Sequence, residues 1–139
     1  MACDAADLVA GVASLAGAVT GDASACKPSR PVNVLQMHGT ADATINYKGT
    51  VAYPGAEAAE ARWSGLNGCT GTAQPLAAVD FDGKPAGKET VQRNVTDCDE
   101  GTQVGLWKMT GSGHIPAVNA AFKDALMALV LAWKRTAKP

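Results

Sequence analysis

The sequence predicts an α/β fold with a short, mostly parallel sheet flanked by helices. Three observations carry that expectation. The run VNVLQM at 32–37 is β-branched at its start and apolar throughout most of its length, as a buried strand is. The segment QVGLWKM at 103–109 alternates apolar and polar residues in the manner of a second strand. Between and after them, two stretches carry apolar residues at three- and four-residue steps, the period of a helix. Strands that alternate with helices are the signature of an α/β layer.

Taken in order, CDAADLV at 3–9 reads as the end of a helix, and GVASLA at 11–16 as a buried strand of small residues. The Gly-, Ser- and Pro-rich VTGDASACKPSRP is a loop leading into the strand at 32–37. HGTADATINYKGT is again a loop. GAEAAEARWSGLN at 55–67 reads as a helix, closed by Gly68 in the place glycine favours after a helix C-terminus. Residues 77–82 and 89–96 are two weaker strands, joined through GKPAGK as a hairpin whose tip carries Lys84 and Lys88. After the strand at 103–109, Pro116 opens a long helix with Val118, Phe122, Leu126, Leu129, Val130 and Trp133 along one stripe. Trp63 and Trp133 fall on these stripes and are expected in the core. Lys134 and Arg135 suit a helix C-terminus.

One domain accounts for all 139 residues, and the sequence shows no repeats and no low-complexity linker. A net charge of −1 gives no electrostatic case for binding nucleic acid or an anionic membrane. No apolar run approaches the roughly 18 residues of a membrane span. The start lacks a basic region followed by an apolar one, so no signal peptide is expected. Four cysteines, Cys3, Cys26, Cys69 and Cys98, form no C-x-x-C pair. Their even number and wide spacing suit two disulfides and a secreted or periplasmic ancestry, with four reduced, buried thiols as the alternative. The acidic stretch at Asp97, Asp99 and Glu100 reads as a solvated turn, and Asn94-Val95-Thr96 matches a glycosylation sequon.

Histidine occurs twice, and both copies sit in Gly-flanked turns after a strand: His38 in HGTAD and His114 in GSGH. In a parallel sheet the working loops lie at the carboxyl ends of the strands. His38, Asp42 and His114 are therefore expected at one sheet edge, although 72 residues separate Asp42 from His114.

The order of strand and HGTAD, RWSGLNGC, a second cysteine, strand, GSGH and final helix resembles the C-terminal half of an α/β-hydrolase. Within that fold it is similar to the secreted polyhydroxybutyrate depolymerases and feruloyl esterases. The resemblance implies that Asp42 is a triad acid and His114 a triad base, and that the cysteines are family disulfide positions. It also likens residues 1–19 to the helix and strand that follow the nucleophile elbow. The elbow itself, G-x-S-x-G, is missing. Of the serines Ser14, Ser24, Ser29, Ser64 and Ser112, neither Ser14, in GVASLAG, nor Ser112, in TGSGH, has its pattern. After His114 stands Ile-Pro where the family more often has an aromatic stretch. The expectation is a truncated hydrolase-like domain over 1–139, with the strand at 11–16 leaving an unpaired edge. Such an edge invites pairing, here as a homodimer or higher homo-oligomer.

Without a serine, two imidazoles and one carboxylate suggest different chemistry. Two His and one Asp with an open fourth position form a catalytic zinc arrangement, and another divalent transition metal would also fit. On that reading His38, Asp42 and His114 ligate the metal. Its hydroxide attacks a small, uncharged activated ester, preferably a phosphotriester. Tyr47 and Tyr53, in the loop after Asp42, are candidates to line the substrate pocket. The alternative is an inert or split fragment of a serine esterase that needs a serine-bearing partner.

Overall fold

Residues 1–136, those described by the computed structural model, contain strands β1 (Gly11–Leu15), β2 (Asn33–Gly39), β3 (Gln74–Pro75), β4 (Thr90–Val95) and β5 (Val104–Met109). Two α-helices accompany them, α1 (Ala56–Leu66) and α2 (Ala120–Ala132). One sheet holds the strands in the order β1-β2-β5-β4-β3. The fold is of the α/β kind, but the sheet is mixed rather than mostly parallel. β1–β2 and β2–β5 pair in parallel, whereas β5–β4 and β4–β3 pair antiparallel. The reason is chain length: only residues 96–103 connect β4 to β5, too few for the dozen or more residues of a parallel crossover.

β2 lies inside the sheet, between β1 and β5, and is buried along its whole length. Successive side chains leave it on opposite faces. Leu35 and Met37 join Trp107 and Met109 of β5, with Phe81 and Phe122 closing over them beneath α2. The Phe81, Trp107 and Phe122 rings meet at 5.2–5.7 Å, in tilted and edge-to-face arrangements. On the other face Val32, Val34 and Val104 pack against Trp63 of α1. Glu60 of α1 is fixed there by a two-pronged bond from Arg93 of β4. Two disulfides, Cys3–Cys26 and Cys69–Cys98, pin the first turn to the loop before β2 and the end of α1 to the turn before β5.

Three elements differ from expectation, the last at both its ends. Residues 3–9 form turns, not a helix end, with Ala5 and Val9 bonding back by four residues without continuing. The strand expected at 77–82 is reduced to a single bridge, Val79 to Thr90, because the Glu89 carboxylate takes the Phe81 and Asp82 amides. α2 starts at Ala120 rather than Pro116. Asn119 caps it by accepting from the Phe122 amide, while residues 117–119 bond to 81–83 instead. The helix ends at Ala132, so Lys134 and Arg135 lie beyond it. Arg135 instead donates to the carbonyls of Ala6 and Pro31. Trp133 is half-buried, its ring set so close to Gly11 that a Cβ there would meet it at 2.4 Å.

Among the described residues β1 pairs only with β2 and has no strand on its outer edge, and Leu15 is 41% exposed. Among the described residues no helix is long and apolar enough to cross a membrane.

Candidate active site

The carboxyl ends of β2 and β5 lie side by side because the strands are parallel neighbours, His38 opposite Lys108 and Gly39 opposite Met109. The loops that follow are tied together. Thr40 donates its amide to the Met109 carbonyl, Ala41 to the Ser112 carbonyl, and Gly111 to the Thr40 hydroxyl. Gly39 makes this approach possible, since a Cβ at that position would stand 2.1 Å from the Ser112 carbonyl oxygen. The glycine of HGTAD is thus a packing requirement between two loops.

Asp42 occupies the junction with its side chain fully buried. Its Oδ1 accepts from the Thr44 and Ile45 amides at 2.8 and 2.9 Å, a local turn that fixes the carboxylate plane. Its Oδ2 faces both imidazoles: His114 Nδ1 at 3.0 Å and His38 Nε2 at 3.2 Å. Burial by itself would raise this carboxyl. The bonds from His114, Ile45 and Thr44 together outweigh it and hold Asp42 below the usual carboxylate value. Asp42 is an anionic acceptor with no open face.

The two histidines differ in what their other nitrogens do. The side-chain amide of Gln36 donates to His38 Nδ1 at 3.0 Å, so that nitrogen is an acceptor and the proton lies on Nε2. From there it is donated to the Ile45 carbonyl at 2.8 Å and shared with Asp42. At 2% exposure, His38 has no lone pair left to offer. His114 is turned the other way. Its Nδ1–H donates to Asp42, 37% of its side chain is exposed, and its Nε2 has no hydrogen-bond partner among the described residues. A neutral imidazole held by a carboxylate at Nδ1, with a free lone pair at Nε2, is the geometry of a general base.

The zinc centre expected at His38, Asp42 and His114 is not formed. Among the described residues no three His, Cys, Asp or Glu side chains are grouped to hold a metal ion. The physical cause is the occupation of His38, both of whose nitrogens are consumed by Gln36, Ile45 and Asp42. The metal-hydroxide and phosphotriester reading falls with it.

No described hydroxyl is bonded to His114 Nε2. Ser112, two residues away, is 1% exposed. Ser64 donates to the Glu60 carbonyl, Ser24 to Asp22, and Ser14 lies on β1 against Gly17. Tyr47 is buried, with its hydroxyl donated to Glu57 at 3.0 Å and its ring edge-on to His38 at 5.6 Å. Burial first, then the Glu57 charge, pushes its phenol well above the ordinary value. Tyr53 is half-buried and accepts the Asn46 amide at 3.0 Å, closing the loop at 46–53.

Gln36 escaped sequence reasoning, although a polar residue two before His38 in an otherwise apolar strand must share its face. Asp82, fully buried beside the His114 loop, also went unnoticed.

No family model matches the chain. Among curated proteins it is similar to feruloyl esterase B of Piromyces equi, 30% identical over 125 residues, a match that takes in 81% of this chain. The chain spans about a fifth of the length of that relative, 21% of it. The likeness to an esterase therefore covers most of this chain and a small part of the esterase.

Proposed function

We propose that this chain carries the acid and the base of a serine-type esterase site of the α/β-hydrolase kind, acting on feruloyl-type esters, with the nucleophile supplied by a serine-bearing segment from outside these residues. The observation that carries the reading is the Asp42–His114 pair, 3.0 Å apart, with Nε2 of a part-exposed His114 unpaired among the described residues. The likeness to a feruloyl esterase supports the substrate class.

The chemistry follows from the tautomer. A serine hydroxyl brought to His114 Nε2 loses its proton to the imidazole as Oγ attacks the ester carbonyl. Asp42 stabilises the imidazolium that forms. His114 then returns the proton to the departing alcohol, leaving an acyl-serine, and a water activated at the same Nε2 releases the acid. The free edge of β1, beside the loop after β2, is where a further parallel strand bearing the serine would join the sheet.

The test is methyl ferulate hydrolysis by the chain alone and by the chain combined, in trans or by fusion, with a strand–G-x-S-x-G–helix segment. Hydrolysis is expected only in combination, unaffected by chelators and abolished by His114→Ala or by removing the serine. A combination that binds but stays inactive overturns the reading, as does a chain that hydrolyses equally well alone.

A further inference from the structure

Among the described residues His114 makes a single side-chain hydrogen bond, to Asp42, so the loop that carries it must supply the rest of its placement. That loop is poorly suited to hold itself. Gly111, with φ at +80°, and Gly113 flank Ser112, and glycine has the most backbone freedom to lose. Something outside the loop has to fix it.

The structure assigns this role to Asp82: we propose that it is the positioning residue for His114, gripping the loop just past the imidazole through the Ala117 amide. The inference rests on the acid–base reading of Asp42 and His114. Asp82 is 0% exposed, beneath the loop. Its Oδ1 accepts from the Ala117 amide at 2.8 Å, three residues past His114, and from the Lys84 amide at 3.1 Å. The Ser112 hydroxyl, two residues before His114, is equally buried and helps to lower the same carboxyl. Neither Ser112 Oγ nor Asp82 Oδ2 has a hydrogen-bond partner among the described residues. The surrounding turn adds to the grip. Gly83 donates to the Ala117 carbonyl, Lys84 Nζ to the Ile115 carbonyl at 3.0 Å, and Asn119 to the Phe81 carbonyl.

On its other side the same loop is tied to the loop of the acid. The Ser112 carbonyl accepts the Ala41 amide at 3.0 Å, next to Asp42, and lies against Gly39. Asp82 therefore anchors the far side of a loop whose near side meets the acid. A carboxylate suits the task because its charge strengthens the bonds that Oδ1 accepts from the two amides.

The test reads the imidazole tautomer by nitrogen-15 NMR of the chain at a pH where both histidines are neutral. In the unsubstituted chain His114 is expected in the Nδ1–H form and His38 in the Nε2–H form. Asp42→Ala should abolish the His114 preference; if it does not, the acid–base reading itself fails. Asp82→Asn, and more mildly Ser112→Ala, should convert His114 from a single Nδ1–H form to a mixture while His38 keeps its own form. Ser112→Ala removes a buried polar neighbour of the carboxylate without emptying the site, so it decides the matter if Asp82→Asn fails to fold. A His114 tautomer unchanged in the folded variants overturns the proposal, and so does an equal disturbance of His38, which would mark a general loosening.

Discussion

His38 and His114 share one oxygen of Asp42 and differ in nearly everything else. His38 belongs to the strand: it is 2% exposed, and each ring nitrogen has a partner that fixes the proton on Nε2. His114 belongs to a glycine-flanked loop, is 37% exposed, and keeps its proton on Nδ1, with no partner for Nε2 among the described residues. The lesson is that reactivity follows from the unsatisfied nitrogen, not from proximity to a carboxylate. A histidine whose two nitrogens are both spent inside the protein contributes stability. One that spends a single nitrogen keeps the other open to a reacting group.

The largest expected effect breaks the reactive side of the pair. In the complemented esterase, His114→Ala should lower methyl ferulate turnover by about 10⁴-fold or more, as loss of a triad base does. The folding free energy, read by urea denaturation, should change by no more than about 1 kcal/mol, because the ring is part-exposed and makes one bond. His38→Ala should show the inverse ranking. It empties a buried site and strands the Gln36 amide and the Ile45 carbonyl, a loss of about 3 kcal/mol. If the two substitutions cost equal stability, the division between them is wrong.

Much of this was legible in the sequence, and the gaps have physical causes. Placing HGTAD and GSGH after neighbouring parallel strands needed only the strand patterns and the rule that working loops gather at carboxyl ends. That reasoning brings Asp42 and His114 to one edge, where they stand 3.0 Å apart. It failed to say how His38 is used, because a motif gives the identity of a ring and not the partners of its nitrogens. Gln36, which decides the tautomer, acts from the strand interior. The helix expected from Pro116 starts four residues late for a similar reason. Proline permits a helix start, but the buried Asp82 claims the Ala117 amide and the chain stays extended until Asn119 can cap. Long-range claims on backbone groups, here from a carboxylate 35 residues earlier, leave no periodic mark in the sequence.

Acid sharpens the comparison, since protonating Asp42 removes the partner both histidines share. Its folded-state value lies below the ordinary 3.8, so its contribution to stability is fully present above that value and is lost as pH falls below it. Asp82, buried and likewise held below 3.8 by Ser112, Lys84 and Ala117 against the opposing effect of burial, acts in the same window. Urea midpoints should therefore hold steady from neutral pH down to about 5 as far as these two groups decide it, then fall steeply below 4. Asp42→Asn should start lower and show a shallower acid limb. An acid limb of unchanged slope in that variant would mean that Asp42 carries no charge-dependent stability.

The smallest effect tests whether the support of His38 is ring packing or hydrogen bonding. Tyr47 stands edge-on to His38 and donates its hydroxyl to Glu57, whose carboxylate also meets Lys108 at 3.3 Å. Tyr47→Phe keeps the ring and removes the hydroxyl. Glu57 remains half-exposed and paired with Lys108, so it finds water where the phenol was. The expected cost is about 1 kcal/mol, the net worth of one hydrogen bond to a charged, accessible acceptor. The His38 tautomer should not change, because Gln36 and Ile45 set it from the other sides of the ring. Tyr47→Ala removes the packing as well and should cost about 3 kcal/mol. If Tyr47→Phe alone released the His38 tautomer, the Glu57 contact would extend into the site, and the line drawn between a structural and a reactive histidine would have to move outward to include it.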